Sequence, residues 1–581
     1  MTSALGATPD LEGTLFRVWA TKSEEVAVRI FADGEGPVGD RLLEKTGAGV
    51  FERRVAGAGP GTLYKFVVDG RELPDPYARF LPYGVHGPAE VIPRFKAPRF
   101  EAKAMDSWVI YEIHVGTFTA QGTYDAAAER LASLADLGVS AVELMPLAAF
   151  PGSRGWGYDG VALFAPFAPY GRPDDLRRFV RRAHELGIAV LLDAVYNHFG
   201  PSGNYLGSYA SEYFAGEGGT PWGGAPNFEH EMMRRYVLEN ARMWLGEYGF
   251  DGLRLDATHA IVDRSPVHVL RDLHALCASY DPPKVLIAED ERNEPSLVTT
   301  MGLDAVWADD FHHQMRVILT GEKDGYYAAY RPALKDLARV INRGWLYEGQ
   351  DYRPWRRPRG RPANDLPPRS LVYCVENHDQ IGNRALGTRL SDDVGPDALL
   401  AATAVLLFLP ATPLLFMGQE WASSSPFLYF TDHDAELGPL VSEGRRREFS
   451  SFRGFSDEAS RQRIPDPQAS ATFHRSKLRW DEALEAPHSR MRDTVRRWIR
   501  LRRDDPVLRA PSARGDTKAD VVEGLLRVTR RNEEGARTLW ANLTSEARPL
   551  PTPSDTVLAS ANERRGGDLG PWAAVVVPGL G

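Results

Sequence analysis

Two rhythms of apolar and polar positions divide the chain. Over residues 1–95, short runs alternate the two kinds of side chain: TLFRVWA (14–20), VAVRIFAD (26–33), VFERRVAG (50–57) and LYKFVVDG (63–70). Gly, Asp and Pro separate them. Period-two alternation broken by turn residues predicts a small N-terminal β-sandwich. From Trp108 the rhythm changes to continuous apolar runs: WVIYEIHV (108–115), VSAVELMPL (139–147), IAVLLDAVYNH (188–198), FDGLRLDATH (250–259), KVLIAED (284–290), DAVWADDFHH (304–313), LVYCVENHDQ (371–380) and TPLLFMGQE (412–420). Helical spacing separates several of them. Leu131, Leu134 and Leu137 share one face and stop at Gly138; Leu176, Phe179, Val180, Ala183 and Leu186 share another and stop at Gly187. Apolar strands alternating with helices predict a parallel sheet covered on both sides, and eight such units predict a (β/α)8 barrel over 96–505.

Three long connections interrupt the repeat, at 199–230, 341–369 and 421–475. The middle one carries RPWRRPRGRP, which reads as a solvated, Pro-stiffened lid. The helix RDTVRRWIRLRRDD (492–505) closes the barrel. After Pro506, GLLRVTRR, RTLWANLT, DTVLAS and WAAVVVPG predict a C-terminal β-sandwich over 506–581.

The polar residues of the barrel runs gather at their C-terminal ends: Asp193, Asn197, Asp256, Glu289, Asp309, His378 and Asp379. Barrel active sites are built at that end. Glycoside hydrolysis needs one carboxylic acid to protonate the leaving oxygen and one carboxylate to attack the sugar or activate water. Arg254 and Asp256 are two apart and share a face of their strand. The Arg suits Asp256 to the ionised role, although an ordinary buried ion pair explains the two residues equally well. Glu289 ends an apolar strand, a setting that favours a proton donor.

Composition narrows the classes. An apolar fraction of 43% and a charged fraction of 25% describe a globular chain with a large core, and 581 residues exceed one domain. The net charge of −9 argues against a nucleic-acid partner. Cys277 and Cys374 form no disulfide framework. MTSALGATPD lacks the basic-then-apolar pattern of a secretory leader, and the apolar run Ala398 to Leu409 is too short to cross a membrane. A cytoplasmic protein without membrane partners is expected. So is the absence of metal or cofactor. EHEMMR (229–234) has Arg234 where HExxH needs its second His. His312 and His313 would point to opposite faces of a strand. GEGGTPWGG (216–224) follows no strand and is no phosphate loop.

DAVYNH (193–198), GFDGLRLDATH (249–259), the Glu of IAED (287–290) and VENHDQ (375–380) resemble, in order, the four sequence regions of the α-amylase family of glycoside hydrolases. The resemblance implies a retaining mechanism with Asp256 as nucleophile, Glu289 as general acid/base and Asp379 as the third carboxylate. It implies that Asp193, His198, Arg254, His259 and His378 shape the pocket of the cleaved glucose. WGYDG (156–160) resembles the family segment whose Tyr lies under that glucose, so Tyr158 is the candidate platform. A cationic imidazole would oppose an oxocarbenium-like transition state, so His198 and His378 are expected to be neutral. Many family members bind calcium near the position of Asn197; the short insert here implies none.

Within that family, WADDFHHQ (307–314), ENHDQIGNR (376–384) and LLFMGQEW (414–421) resemble the trehalose-releasing hydrolases. PDPYAR (74–79) resembles the end of an N-terminal domain shared with glycogen branching and debranching enzymes. The implied substrate is maltooligosyltrehalose, supplied by a maltooligosyltrehalose-forming enzyme. Asp309, Asp310, Phe311, His312 and His313 would lie on the leaving-group side, with Gln380 and Asn383 near the seventh strand's loop. Capping and packing at a strand end is the competing account of DDFHH. A glucan branching transglycosylase and a catalytically dead glucan-binding protein are the alternative functions. The N-terminal domain is expected to buttress the cleft.

Overall fold

The computed structural model describes residues 4–31, 37–216, 224–551, 556–562, 564–565 and 567–579. The N-terminal segment forms two facing antiparallel sheets. One runs Gly6–Asp10, Gly13–Trp19, Val50–Val55, Glu44–Gly47; the other runs Pro37–Leu42, Val26–Phe31, Leu63–Val68, Arg71–Leu73. Phe16, Val18 and Phe51 of the first sheet share a core with Val26, Val28, Tyr64 and Phe66 of the second. Alternation thus marked the inward faces, while the polar strands Pro37–Leu42 and Glu44–Gly47 carried too little apolar signal to be read.

The central unit is a closed barrel of eight parallel strands in chain order: β1 (Ile110–Ile113), β2 (Ala141–Leu144), β3 (Ala189–Ala194), β4 (Gly252–Leu255), β5 (Val285–Ala288), β6 (Ala305–Trp307), β7 (Leu371–Cys374) and β8 (Thr412–Phe416). All eight apolar runs became these strands. Seven are buried along their whole length, and β5 is so except at Val285. That is why their runs lack alternation. The helix Tyr124–Leu137 shows how the surrounding layer is punctuated. Thr123 Oγ1 accepts from Ala126 N at its start, and Gly138 takes φ 104° at its end. The apolar run at 398–409 forms the 13-residue helix Pro396–Phe408 with Leu409 at its C-cap, and this helix packs against the helix His488–Asp504 and the C-terminal strands. No helix among the described residues is long and apolar enough to cross a membrane.

The helix His488–Asp504 packs on Pro396–Phe408, Tyr124–Leu137 and the C-terminal strands. The C-terminal sheet runs Thr517–Val522, Leu525–Asn532, Gly535–Asn542, Ala573–Pro578, Ala559–Ala561, beside a smaller three-stranded sheet. Both cysteines are buried and free. The N-terminal sandwich is tied to the barrel by polar bonds. Tyr209 Oη donates to Pro74 O at 2.9 Å, Tyr236 Oη to Pro76 O at 3.1 Å, and Arg79 pairs with Glu247 at 2.9 Å.

Two sequence expectations change here. The basic stretch is solvated as expected at Arg353, Arg356, Arg357 and Arg361, but not at Arg359. It forms a hairpin (Gln350–Tyr352, Arg357–Arg359) whose Arg359 is buried and donates to Asp310 at 3.1 Å and to Glu291 O at 2.7 Å. DDFHH is not strand: β6 stops at Trp307, and Asp310–Thr320 is helix. His312 and His313 therefore sit about 100° apart on a helix, with ring centroids 4.3 Å apart, rather than on opposite faces. The glycine-rich segment GEGGTPWGG lies, over 217–223, outside the described residues.

Candidate active site

The strand ends on β3, β4 and β5 converge on one buried cation. Arg254 on β4 has a fully buried side chain. Its Nη1 donates to Asp193 on β3 at 2.7 Å and to Asp256 at 2.9 Å, and its Nη2 lies 3.8 Å from Glu289 after β5. Parallel register makes this possible, because Asp193 and Arg254 are direct neighbours across the β3–β4 ladder. The guanidinium also lies over Trp307, 4.4 Å from the ring centroid. The sequence left Arg254–Asp256 between an ion pair and a site. The structure shows an ion pair that opens to a cleft, since Asp256 and Glu289 keep 15% and 17% of their side-chain exposure.

The two carboxyls have different surroundings. Asp256 accepts from Arg254 and, at 2.7 Å, from Asn197 Nδ2. Burial pushes Glu289 well above the usual carboxyl range. Arg254 opposes this, and the charges of Asp256, Asp309 and Asp379 add to it. Glu289 Oε2 accepts from Ala257 N at 2.7 Å, and Ala257 itself stands in the left-handed region at φ 40°. A non-glycine residue there costs of order 1–3 kcal/mol and commonly marks a functional turn.

Asp379 and His378 begin a short helix, His378–Gly382, capped by Asn377, whose side chain accepts from Gln380 N at 2.8 Å. Tyr158 bridges this end to β3. Its hydroxyl donates to Asp193 at 2.6 Å and lies 2.7 Å from His378 Nε2. His198 Nε2 donates to Tyr158 O at 2.9 Å, and burial lowers this imidazole below its ordinary range. That matches the expectation of a neutral His198. His378 differs. Burial alone would lower it, but the charges of Asp379 and Glu112 prevail and push it up to about 9. Contrary to the expected neutral imidazole, these charges favour the cationic form of His378.

The DDFHH residues part company. Asp309, at the helix's N-cap position with a side chain still 21% exposed, meets His312 Nε2 at 3.3 Å and faces the carboxylate cluster. Asp310 does not reach the cleft. Fully buried, it accepts from Tyr330 Oη (2.6 Å), Leu346 N (2.7 Å), Asn293 Nδ2 (2.9 Å), Tyr347 N (3.0 Å) and Arg359 (3.1 Å). Phe311 is also fully buried and stacks on Tyr373 at 4.6 Å. Neither has an atom free for a sugar, so capping and packing explain these two. His312 and His313 are largely buried, and His313 Nδ1 lies 3.1 Å from Tyr330 Oη. His259 Nε2 sits 3.7 Å from Glu291. Gln380 accepts from Tyr327 Oη at 2.9 Å, and Asn383 Nδ2 donates to Asp379 at 3.1 Å.

Sequence reasoning missed Glu112 on β1 and Glu143 on β2, paired in register beneath His378. Both are buried, and neither oxygen of Glu143 meets a donor among the described residues. The available signal was a carboxylate inside an apolar run, IYEI and AVEL. No group of His, Cys, Asp and Glu among the described residues has the arrangement of a metal site.

Comparison with known proteins agrees with this architecture. Residues 96–214 match the alpha amylase catalytic domain, and residues 4–78 match carbohydrate-binding module 48, the isoamylase N-terminal domain. The chain is 51% identical over 512 residues to a malto-oligosyltrehalose trehalohydrolase of Deinococcus radiodurans, covering 87% of this chain and 84% of that one. A solved structure from Salmonella typhimurium, of a protein proposed to be an alpha amylase, is 37% identical. It superposes with a TM-score of 0.91 over 99% of both chains. A 1,4-alpha-glucan branching enzyme of Burkholderia thailandensis is 34% identical, over 46% of this chain and 37% of its own.

Proposed function

The chain belongs to the malto-oligosyltrehalose trehalohydrolase family of α-amylase-type glycoside hydrolases, and on that premise we propose that it cleaves the α-1,4 bond next to the terminal trehalose unit of maltooligosyltrehalose, releasing trehalose and a shorter maltooligosaccharide. The observation that carries the chemistry is the sharing of Arg254 by Asp256 and Glu289 in unlike surroundings. Glu289, held protonated by burial, gives its proton to the leaving glucosidic oxygen. Asp256, oriented by Arg254 and Asn197, attacks the anomeric carbon and forms a glycosyl-enzyme. The departing sugar leaves Glu289 ionised, ready to take a proton from the water that releases the second product. Asp379 binds hydroxyls of the distorted sugar. Asp193, Tyr158, His198, Arg254 and His378 form the wall around it, and Asp309 stands on the leaving-group side.

A glucan branching enzyme shares this chemistry but passes the glycosyl group to a glucan hydroxyl. The relatives that match over most of the chain favour hydrolysis, and the branching enzyme aligns over less than half. The substrate chemistry calls for an upstream enzyme that converts the reducing end of a maltooligosaccharide into an α,α-1,1-linked pair. Incubation with maltooligosyltrehalose and, separately, with amylose tests the reading. Free trehalose from the first is expected. New α-1,6 branches in the second, without trehalose from the first, would overturn it.

A further inference from the structure

His378 is clamped from the side opposite the cleft. Its Nδ1 hydrogen-bonds Glu112 Oε1, and its backbone N–H donates to Glu112 Oε2 at 3.1 Å. Both side chains are almost fully buried, at 1% exposure each. On the cleft side, Nε2 faces the Tyr158 hydroxyl at 2.7 Å and Asp379 at 3.4 Å. Both ring nitrogens thus meet oxygen. The Tyr158 hydroxyl has one hydrogen, and Asp193 Oδ2 at 2.6 Å is a pure acceptor for it when ionised. For the chain to close, Nε2 must be the donor to Tyr158. An ionised Glu112 can only accept, and Nδ1 is then the donor to it as well.

Resting on the reading above that this cleft holds the reacting glucose, we propose that Glu112 is a positioning residue. It holds His378 as an imidazolium that donates from both nitrogens and thereby fixes the direction of every bond from β1 through His378 and Tyr158 to Asp193. Glu112 also supplies the charge that makes such a cation tolerable. A lone imidazolium beside an oxocarbenium-like transition state would raise its energy, whereas the His378–Glu112 pair is neutral as a unit. The charged groups around His378 divide in sign, and the carboxylates prevail. Glu112 on β1 and Asp379 on its own helix favour the cation, and Arg254 on β4 opposes it. Glu143 on β2 is held well above the usual carboxyl range, chiefly by burial, and so adds little negative charge. His114, after β1, is lowered by burial to about 4 and stays neutral. Asp193 reaches His378 through Tyr158.

The test is an NMR titration of protein labelled with 15N-histidine, with the His378 signal identified by its loss in H378Q. Wild-type His378 is expected to titrate near 9. In E112Q it should fall toward the ordinary histidine value of about 6.5. The ratio of wild-type to E112Q kcat/KM should then be about 30-fold larger at pH 8 than at pH 5, because only the variant loses its imidazolium in that interval. E112D, which keeps the charge, should restore most of the loss at pH 8. A wild-type His378 titrating at or below the ordinary value would overturn the proposal, whether or not E112Q folds. So would an E112Q defect of equal size at both pH values. The titration needs no substrate. Failure to release trehalose would therefore refute the functional reading without touching it.

Discussion

Asp310→Ala separates two roles for the DDFHH segment. Wild-type Asp310 ties together the helix Asp310–Thr320, the hairpin through Arg359, and the turn through the backbone N–H groups of Leu346 and Tyr347. Its loss would leave Arg359, with 2% side-chain exposure, as a buried charge without its carboxylate. Breaking such a pair costs about 3–5 kcal/mol, and each buried N–H left unmet costs about 1–3 kcal/mol. These losses share one site and are not additive, so about 4–6 kcal/mol is the expected total. At roughly 2 °C per kcal/mol for a large domain, the midpoint of thermal unfolding should drop by ~10 °C. Asp310→Asn keeps an acceptor but not the charge, and should fall between. The assay is thermal unfolding by circular dichroism, with kcat/KM measured well below the transition on the same preparations. A variant that melts like wild type yet has lost its preference for maltooligosyltrehalose would refute the structural role and restore Asp310 to the cleft.

Glu289→Gln should lower kcat by about 10²–10⁴-fold, with least effect on glycosides whose leaving group needs no proton; equal loss on both kinds of substrate would count against the acid role. Because Glu289 must enter protonated, wild-type kcat/KM should fall as pH rises through its elevated value, and a profile rising through that limb would contradict the assignment. Asn197→Ala removes a 2.7 Å donor from Asp256 together with its bonds to Asp256 O and His198 Nδ1; at about 1.5–3 kcal/mol for a bond to a charged group, kcat/KM measured well below the unfolding transition should fall by about 10–100-fold. Exhaustive dialysis against chelator should leave activity intact, and activity that is lost and then restored by calcium would reveal a metal requirement.

What the chain disclosed in advance depended on how local the governing physics is. Barrel strands buried on both sides must be apolar throughout, so all eight stood out, and their polar ends pointed to one face. The direction of DDFHH was not legible, because Asp309 and Asp310 suit a strand end and a helix start alike. Only packing against Tyr373 and Arg359 decides between them. The charge of His378 was also hidden. Its partner Glu112 is 266 residues away and meets it only when β1 and the β7 loop close the barrel. The basic hairpin shows the same limit: its arginines are solvated as they read, and nothing local marks Arg359 as the one that finds a buried carboxylate. The Arg254–Asp256 spacing showed that the two share a face. That Arg254 also reaches Asp193 and Glu289 required the parallel register of three strands.

The account stands most directly on Asp256 as the atom donor to a glycosyl-enzyme. A slow fluorinated glucosyl fluoride, reacted with the Glu289→Gln variant, should trap that intermediate. After digestion, mass spectrometry should find one hexosyl adduct on the peptide carrying Asp256. An adduct on Glu289, Asp379 or any other carboxylate, or turnover with inverted anomeric configuration and no adduct, would contradict it.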